Sequence, residues 1–315
     1  MKLKTLFMGT PDYVIPTLSA LREHSELVGI VTAPDKVAGR GNKIVTPAAK
    51  DFALKHGVRL YQPKTLKNND IVEELSELKP DLLVVNAYGF LLPQSVLSMP
   101  ELAPINLHGS LLPSYRGASP IQASLLNGDS ETGITAQYMS ERLDEGDIVL
   151  QLKTPIEPED DYYSLSDRLS QLSADCILEV LRLYEENRVV RQPQDSARAT
   201  FCHKIKKEDG AIQFNETYKS IVNKMKAYAK WPLCYAYQGK KKVIIHKVEW
   251  LGESQEGEPG IIVQANKQGL HVRCGDGVMA ILMIQPESKK VMDYKSFLNG
   301  HSWKPGMLLT HVAEA

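Results

Sequence analysis

The first two-thirds of the chain alternate short apolar runs with amphipathic stretches of helical period, and few folds accept that alternation. Leu3 to Met8, Leu27 to Thr32, Asp81 to Asn86, Ala103 to Leu107, Thr132 to Tyr138 and Ile148 to Leu152 have strand length and are dominated by Val, Ile, Leu and Thr. Pro11 to His24, with Val14, Leu18 and Leu21 on one face, Thr46 to His56, Ser119 to Leu126 and Tyr163 to Glu186 read as helices. Thr46 stands at the N-cap position of the second of these, with Pro47 in its first turn. Strands joined by crossover helices pair in parallel, so this part is predicted to be an α/β domain built on a doubly wound, mostly parallel sheet. Such sheets bind ligands outside the carboxyl ends of their strands.

The pattern then changes. Arg191-Gln192-Pro193-Gln194-Asp195-Ser196 is polar and carries a proline, as linkers do. After a short helix, Glu216 to Tyr228, come five strand-like runs: Cys234 to Gln238, Lys242 to Trp250, Gly260 to Gln264, Gly269 to Arg273 and Gly277 to Gln285. Gly239, Pro259-Gly260, Asn266-Lys267-Gln268-Gly269 and Gly275-Asp276-Gly277 separate them. Five short strands this close together predict a small OB-like β-barrel. The expected division is residues 1–189 as catalytic domain, 190–209 as linker and 210–315 as second domain. Charge divides the chain in nearly the same place. Residues 1–203 carry 20 Lys and Arg against 27 Asp and Glu, whereas residues 204–315 carry 17 against 11. A basic unit on an acidic body suits a polyanionic partner, with Lys240, Lys241 and Lys242 as candidate contacts.

The four cysteines, Cys176, Cys202, Cys234 and Cys274, are scattered without a Cys-x-x-Cys pair, so reduced thiols and no zinc site are expected. The amino-terminal apolar run is too short for a secretory signal, and no run reaches membrane-spanning length. A soluble, cytoplasmic protein is expected.

Chemistry concentrates at one strand end. Gly109 and Pro113 stop the run that ends at Leu107, and strand alternation places Asn106 and His108 on one face. Some thirty residues on, Leu143-Asp144-Glu145-Gly146-Asp147 offers a carboxylate. A carboxamide and an imidazole can stabilise a developing oxyanion, and a carboxylate can orient the imidazole; together they suit acyl transfer to an amine. Taken singly, a histidine at a strand end often bonds only to backbone, and Asp-x-Gly-Asp is common turn chemistry. No Gly-x-Ser-x-Gly surrounds Ser110, which argues against a serine hydrolase. Met8-Gly9-Thr10-Pro11-Asp12 lacks the second and third glycines of a dinucleotide turn, Pro11 and Val14 standing in their places. Between Thr32 and Lys43 lies a polar surface loop in which Gly39-Arg40-Gly41 leaves a guanidinium room to approach a phosphate or base.

Asn-Leu-His-Gly-Ser-Leu-Leu-Pro-x-x-Arg-Gly-Ala-x-Pro-Ile-Gln from Asn106, followed by Glu-Thr-Gly-Ile-Thr from Glu131 and Leu-Asp-x-Gly-Asp-Ile from Leu143, resembles the folate-dependent formyltransferases. Over nearly the full length the chain is similar to the branch of that family that formylates methionyl-tRNA. The resemblance implies Asn106, His108 and Asp144 as catalytic residues and 10-formyltetrahydrofolate as co-substrate. The folate would lie along Ser110, Leu111, Leu112 and Pro113, with Tyr88, Gly89 and Leu91 nearby. Gly9 and Thr10 would line the acceptor pocket, and Arg40, flanked by Lys36 and Lys43, would meet the acceptor stem of initiator methionyl-tRNA. A monomer acting in translation initiation, with no metal, is implied. Two positions depart from the family: Val37 stands where proline is common, and Ala229-Lys230 precedes Trp231-Pro232 where Asn-Pro is common. The alternative is a formyltransferase acting on a small amine, glycinamide ribonucleotide or an amino-sugar nucleotide. It would need neither the Arg40 loop nor a basic second domain.

Overall fold

A computed structural model describes residues 2–38, 43–254 and 256–313. The chain divides into two compact units, residues 1–121, 130–157 and 164–203 in the first and 122–129, 158–163 and 204–315 in the second.

Through the first unit the chain runs β1 (Lys4–Met8), α1 (Ile15–His24), β2 (Glu26–Val31), β3 (Lys36–Ala38), β4 (Lys43–Val45), α2 (Ala48–His56), β5 (Leu60–Tyr61), α3 (Asn69–Ser76), β6 (Leu82–Val85), α4 (Gln94–Leu97) and β7 (Ala103–His108). It continues through β8 (Arg116–Gly117), α5 (Pro120–Asn127), β9 (Glu131–Tyr138), β10 (Ile148–Pro155), α6 (Tyr162–Glu185) and β11 (Phe201–Cys202), of which α5 from residue 122 onward and the first two residues of α6 belong to the second unit. The main sheet has the order β10-β9-β7-β6-β1-β2-β5. From β7 to β5 all pairings are parallel, and β9 is the one reversed strand, antiparallel to both β7 and β10. The chain winds from β1 outward to β2 and β5, then returns to lay β6 and β7 on the other side of β1. The winding direction therefore switches between β1 and β6, which opens a crevice at their carboxyl ends. All four residues of β6 are buried, as a strand covered on both faces requires.

The turn after β1 is set by close backbone approach. The Gly9 N–H donates to the Val31 carbonyl at 3.1 Å, and the Asn86 N–H donates to the Met8 carbonyl at 2.9 Å. A Cβ on Gly9 would lie 2.5 Å from the Asn86 carbonyl oxygen and 2.6 Å from the Phe7 ring, so only glycine fits. Thr10 turns its hydroxyl back to the Tyr88 carbonyl at 3.4 Å.

The helix read from Thr46 begins instead at Ala48. Pro47 occupies the cap position, and the Thr46 hydroxyl donates to Asp51 Oδ2 at 3.2 Å rather than capping the backbone. Proline without an N–H is at home at a helix start, which leaves threonine free for the side-chain contact. Strands β3 and β4 form a separate antiparallel ribbon, paired only with each other. Gly39, Arg40, Gly41 and Asn42 lie outside the described residues.

In the second unit, α7 (Tyr218–Ala227) precedes β12 (Tyr235–Gln238), β13 (Lys241–Glu253), β14 (Ile262–Asn266), β15 (Gly269–Arg273), β16 (Gly277–Pro286), β17 (Met292–Asp293) and α8 (Tyr294–Gly300). The strands form an antiparallel sheet in the order β12-β13-β16-β15-β14, with β17 against β16. Strand β13 bends through three register shifts along β16, as a strand must in a curved sheet. Residues 306–310 then bridge the two edges. Tyr237 of β12 exchanges both backbone hydrogen bonds with Thr310, at 2.8 and 2.9 Å. On the β14 side the Ile262 N–H donates to the Met307 carbonyl at 2.8 Å, and the Leu309 N–H donates to the Gly260 carbonyl at 2.9 Å. The ladder thereby closes on itself. Among the described residues no helix is long and apolar enough to cross a membrane.

Candidate active site

Strand β7 presents Asn106 and His108 on one face at its carboxyl end, and β9 lies beside it in a register that opposes Asn106 to Gln137 and His108 to Thr135. Residues opposed across strands share a face, so the Gln137 carboxamide arrives beside Asn106. The loop between β9 and β10 brings Asp144, at φ +53, onto the same patch. Asp144 Oδ1 is the hub. Gln137 Nε2 donates to it at 2.9 Å, Asn106 Nδ2 at 3.4 Å, and His108 Nδ1 stands 3.6 Å away. The other oxygen, Oδ2, accepts the Gly117 N–H at 2.9 Å. His108 Nε2 lies 2.9 Å from the Tyr115 carbonyl; a carbonyl only accepts, so this nitrogen carries a hydrogen. The side chains of His108 and Asp144 are 6% and 9% exposed.

These distances separate two kinds of partner. Gln137 and Gly117 hold the carboxylate at ordinary hydrogen-bond length. Asn106 and His108 sit at 3.4 and 3.6 Å, loosely enough to turn to a second acceptor that enters between them. An oxyanion is such an acceptor, and little water competes for it at this burial.

Among the described residues no nucleophile stands ready nearby. The Ser110 hydroxyl is fully buried and donates to the Ser114 carbonyl at 2.6 Å, and the Ser110 carbonyl accepts from Thr135 Oγ1. The thiol of Cys202 touches the Tyr115 carbonyl at 3.4 Å, but burial, together with the charge of Asp144, raises it above the ordinary thiol range. A thiol held protonated is a poor nucleophile. Among the described residues no group of three or more His, Cys, Asp or Glu is placed to hold a metal.

Of the residues expected along the folate, Ser110, Leu112 and Tyr88 are turned inward, at 0%, 3% and 5% exposure. Tyr88 belongs to the core beside Val85 and Val96, and burial pushes its phenol up to about 12. Leu111 and Pro113 are half-buried, Gly89 is exposed at φ +83, and Leu91 is 84% exposed beside the exposed Phe90. The two segments leave neighbouring parallel strands, β6 and β7, at the same edge. An apolar surface in that position suits a flat ring system. Lys36 is exposed, only the backbone of Lys43 is described, and Arg40 lies outside the described residues. Lys240 and Lys241 are exposed, whereas Lys242 is half-buried with Nζ 3.4 Å from the centre of the Tyr235 ring. Burial, then the nearby Lys207, lowers the ammonium of Lys242 from its ordinary range. That lysine is spent on packing its own unit, because an aromatic face attracts the charge.

Sequence reasoning missed four groups that complete the site: Gln137, Gly117, Arg116 and Gln194. Gln137 had at most a weak signal, a carboxamide at the carboxyl end of a strand that also carries Glu131, Thr132 and Thr135; its place opposite Asn106 is set by the strand register. Arg116, 2% exposed, had none beyond its place in the motif. Gln194 lies in the stretch read as a linker, and the chain there is held to the first unit as far as His203. Gln192 exchanges backbone hydrogen bonds with Ile148 at 2.8 and 2.9 Å, and β11 pairs in parallel with β8. Polarity and a proline suggest a free linker, but these backbone groups find partners on the sheet unit.

Fold and site together define a formyl-transferring enzyme. Residues 1–181 match the family model described as formyl transferase, and residues 204–302 match the formyl transferase C-terminal domain. The methionyl-tRNA formyltransferase of Geobacter sulfurreducens is 40% identical over 314 residues, covering 99% of this chain and 98% of that protein. That of Syntrophus aciditrophicus is 39% identical over 309 residues, with 98% and 99% covered. The chain belongs to the methionyl-tRNA formyltransferase family. Two solved structures share the fold at low identity. An N-formyltransferase from Helicobacter canadensis, in complex with folinic acid and dTDP-3-aminofucose, has a TM-score of 0.65 at 18% identity, covering 91% of this chain and 100% of that one. HypX from Aquifex aeolicus in complex with tetrahydrofolic acid has a TM-score of 0.61 at 16% identity; 98% of this chain covers 51% of that longer protein.

Proposed function

We infer that this protein transfers the formyl group of 10-formyltetrahydrofolate to the free α-amino group of methionine on initiator methionyl-tRNA, giving N-formylmethionyl-tRNA for translation initiation. The observation that carries this reading is the convergence of Asn106 and His108 on one oxygen of a largely shielded, tightly held Asp144. The full-length similarity to enzymes of that name supports it. A monomer working in the cytoplasm, where translation begins, is part of the same reading.

Bound 10-formyltetrahydrofolate supplies an electrophilic formyl carbon, and negative charge develops on its oxygen as the neutral amine attacks. Asn106 Nδ2 and His108, already converged on Asp144 at 3.4 and 3.6 Å, share hydrogen bonds with that charge; donors fixed in advance stabilise it without reorganising at the moment of reaction. Asp144 keeps the imidazole oriented and balances the positive charge it carries when protonated. Held by Gln137 and Gly117, the carboxylate itself stays in place. The proton shed by the attacking amine is relayed to the folate nitrogen by His108, directly or through a water held by His108 and Asp144, so that the nitrogen departs as N–H and His108 is restored at the end of the turnover. Leu111, Pro113, Gly89 and Leu91 offer the accessible surface for the folate, with Ser110, Leu112 and Tyr88 supporting it from beneath. Gly9 and Thr10, at the switch between β1 and β6, border the acceptor.

The test compares formylation of charged initiator and charged elongator tRNA by 10-formyltetrahydrofolate. Strong preference for the initiator is expected, and equal rates, or faster formylation of an amino-sugar nucleotide, would overturn the reading. Binding also has an electrostatic signature. Lys240 and Lys241 face solvent in a unit of net positive charge, so tRNA affinity should fall linearly with salt on logarithmic axes. Reversing both lysines should make the slope shallower by roughly 1.4 to 1.8, the share of two phosphate contacts. Reversing Lys242 should lower stability instead, through its contact with Tyr235. An unchanged slope in the double variant would place the tRNA elsewhere on this unit.

A further inference from the structure

Asp144 adopts a left-handed backbone, φ +53, that residues with a side chain rarely take. Aspartate is one of the few side chains that tolerate it, and contacts from outside the loop fix it there. Gln194 Nε2 donates to the Asp144 carbonyl at 2.8 Å and to the Gly146 carbonyl at 2.8 Å, with Gln137 Oε1 a looser third neighbour at 3.4 Å. At the other end of the same amide, Gln194 Oε1 accepts from Arg116 Nε at 3.1 Å and from Nη2 at 2.9 Å. Arg116 Nη1 then reaches Glu145 Oε1 at 3.4 Å. Three successive loop residues are thus gripped: 144 and 146 through their carbonyls, 145 through its carboxylate. Both hydrogens and both lone pairs of the Gln194 amide are used.

We propose that Gln194 is a positioning residue for formyl transfer, setting the Asp144 carboxylate by clamping the backbone of its loop; this rests on Asp144 acting as inferred above. No other side chain of similar reach serves. Glutamate would accept from Arg116 but turn oxygens, not hydrogens, towards two carbonyls. The clamp is not what attaches the segment to its unit. Gln192 is fixed to Ile148, the Tyr115 N–H donates to Thr200 Oγ1 at 2.8 Å, and the Arg116 N–H donates to the Thr200 carbonyl at 2.9 Å. Those bonds survive the loss of the Gln194 side chain. Gln194 therefore governs where Asp144 stands, more than whether residues 191–203 stay in place.

The experiment measures kcat, both KM values and thermal melting for full-length Gln194→Ala and Gln194→Glu, in the parent and in an Asp144→Asn background. In the parent, kcat should fall about tenfold or more, with both KM values within roughly twofold, because the lost interaction acts on the reacting geometry. Gln194→Ala removes the acceptor of two Arg116 hydrogen bonds and should lower the melting temperature, whereas Gln194→Glu keeps that acceptor and should melt near the parent. In the Asp144→Asn background the same changes should cost less than about threefold, since residues acting as one unit are not additive. Equal losses in both backgrounds, losses that track a lowered melting temperature, or parent-like kcat in both variants would overturn the proposal alone. Full turnover by Asp144→Asn itself would instead overturn the role given to Asp144, and the clamp's purpose with it.

Discussion

Alanine at His108 or at Asp144 is expected to reduce turnover by at least about a hundredfold to a thousandfold, the usual cost of one oxyanion-stabilising group. The equilibrium constant for folate should change by only a few-fold, because the accessible apolar surface at Leu111, Pro113 and Leu91 is carried by other segments. The two variants should fail for different reasons. Without His108 the site loses a donor and its route for the proton to the leaving nitrogen. Without Asp144 it keeps the imidazole but loses the hub on which Gln137, Asn106 and Gly117 converge. Single-turnover formylation with saturating folate separates chemistry from binding. Near-normal turnover in either variant would sink the mechanism. Rapid quenching into hydroxylamine should trap no formyl-enzyme, since the Ser110 hydroxyl is committed to Ser114 and the Cys202 thiol is held protonated.

Arg40→Ala is expected to lower kcat/KM for charged initiator tRNA by roughly tenfold to a hundredfold, the range of a well-made bidentate contact. Lys36→Ala should lower it only a few-fold, because an ammonium is a point charge without the planar fork. Lys36→Ala should move stability by no more than about 0.5 kcal/mol, as is usual for surface substitutions. The ribbon of β3 and β4 pairs with no other strand, and Ile44 and Val45 in it are 69% and 53% exposed. Large apolar side chains left in water beside basic residues fit a surface that another molecule covers. Trypsin should cut at Lys36, Arg40 or Lys43 in the free protein and be blocked when cognate tRNA is bound. Equal cleavage with and without tRNA, together with a fully active Arg40→Ala enzyme, would leave formyl transfer intact and remove this loop from tRNA recognition.

How far the structure could be read beforehand depended on where the determining contacts lie along the chain. The sheet strands carry their own signal, since β6 is an unbroken apolar run and β7 is apolar apart from Asn106 and His108 at its carboxyl end. Asn106 and His108 were legible for the same reason, because period-two alternation acts within one strand. Tyr88 and Ser110 are expected along the folate, yet both side chains are buried, since the direction of a turn residue is set by tertiary packing. Thr46 lost its cap to the next residue, a boundary difference local propensity does not resolve. Gln194 was beyond reach. Its two partners, Arg116 and the loop at Asp144, are 78 and 50 positions away, and nothing near it in sequence hints at either.

The closed ladder of the second unit sets an order of assembly during synthesis. Its last stave is residues 306–310, which satisfy β12 on one side and the start of β14 on the other. Until those residues have left the ribosome, both strands carry unpaired backbone groups of the kind that recruit other chains. The sheet unit has no such wait, since its final segment is already available at residue 203. The half that performs chemistry can therefore mature while the half that carries the positive charge is still open, and the nascent basic unit is the part most in need of shelter.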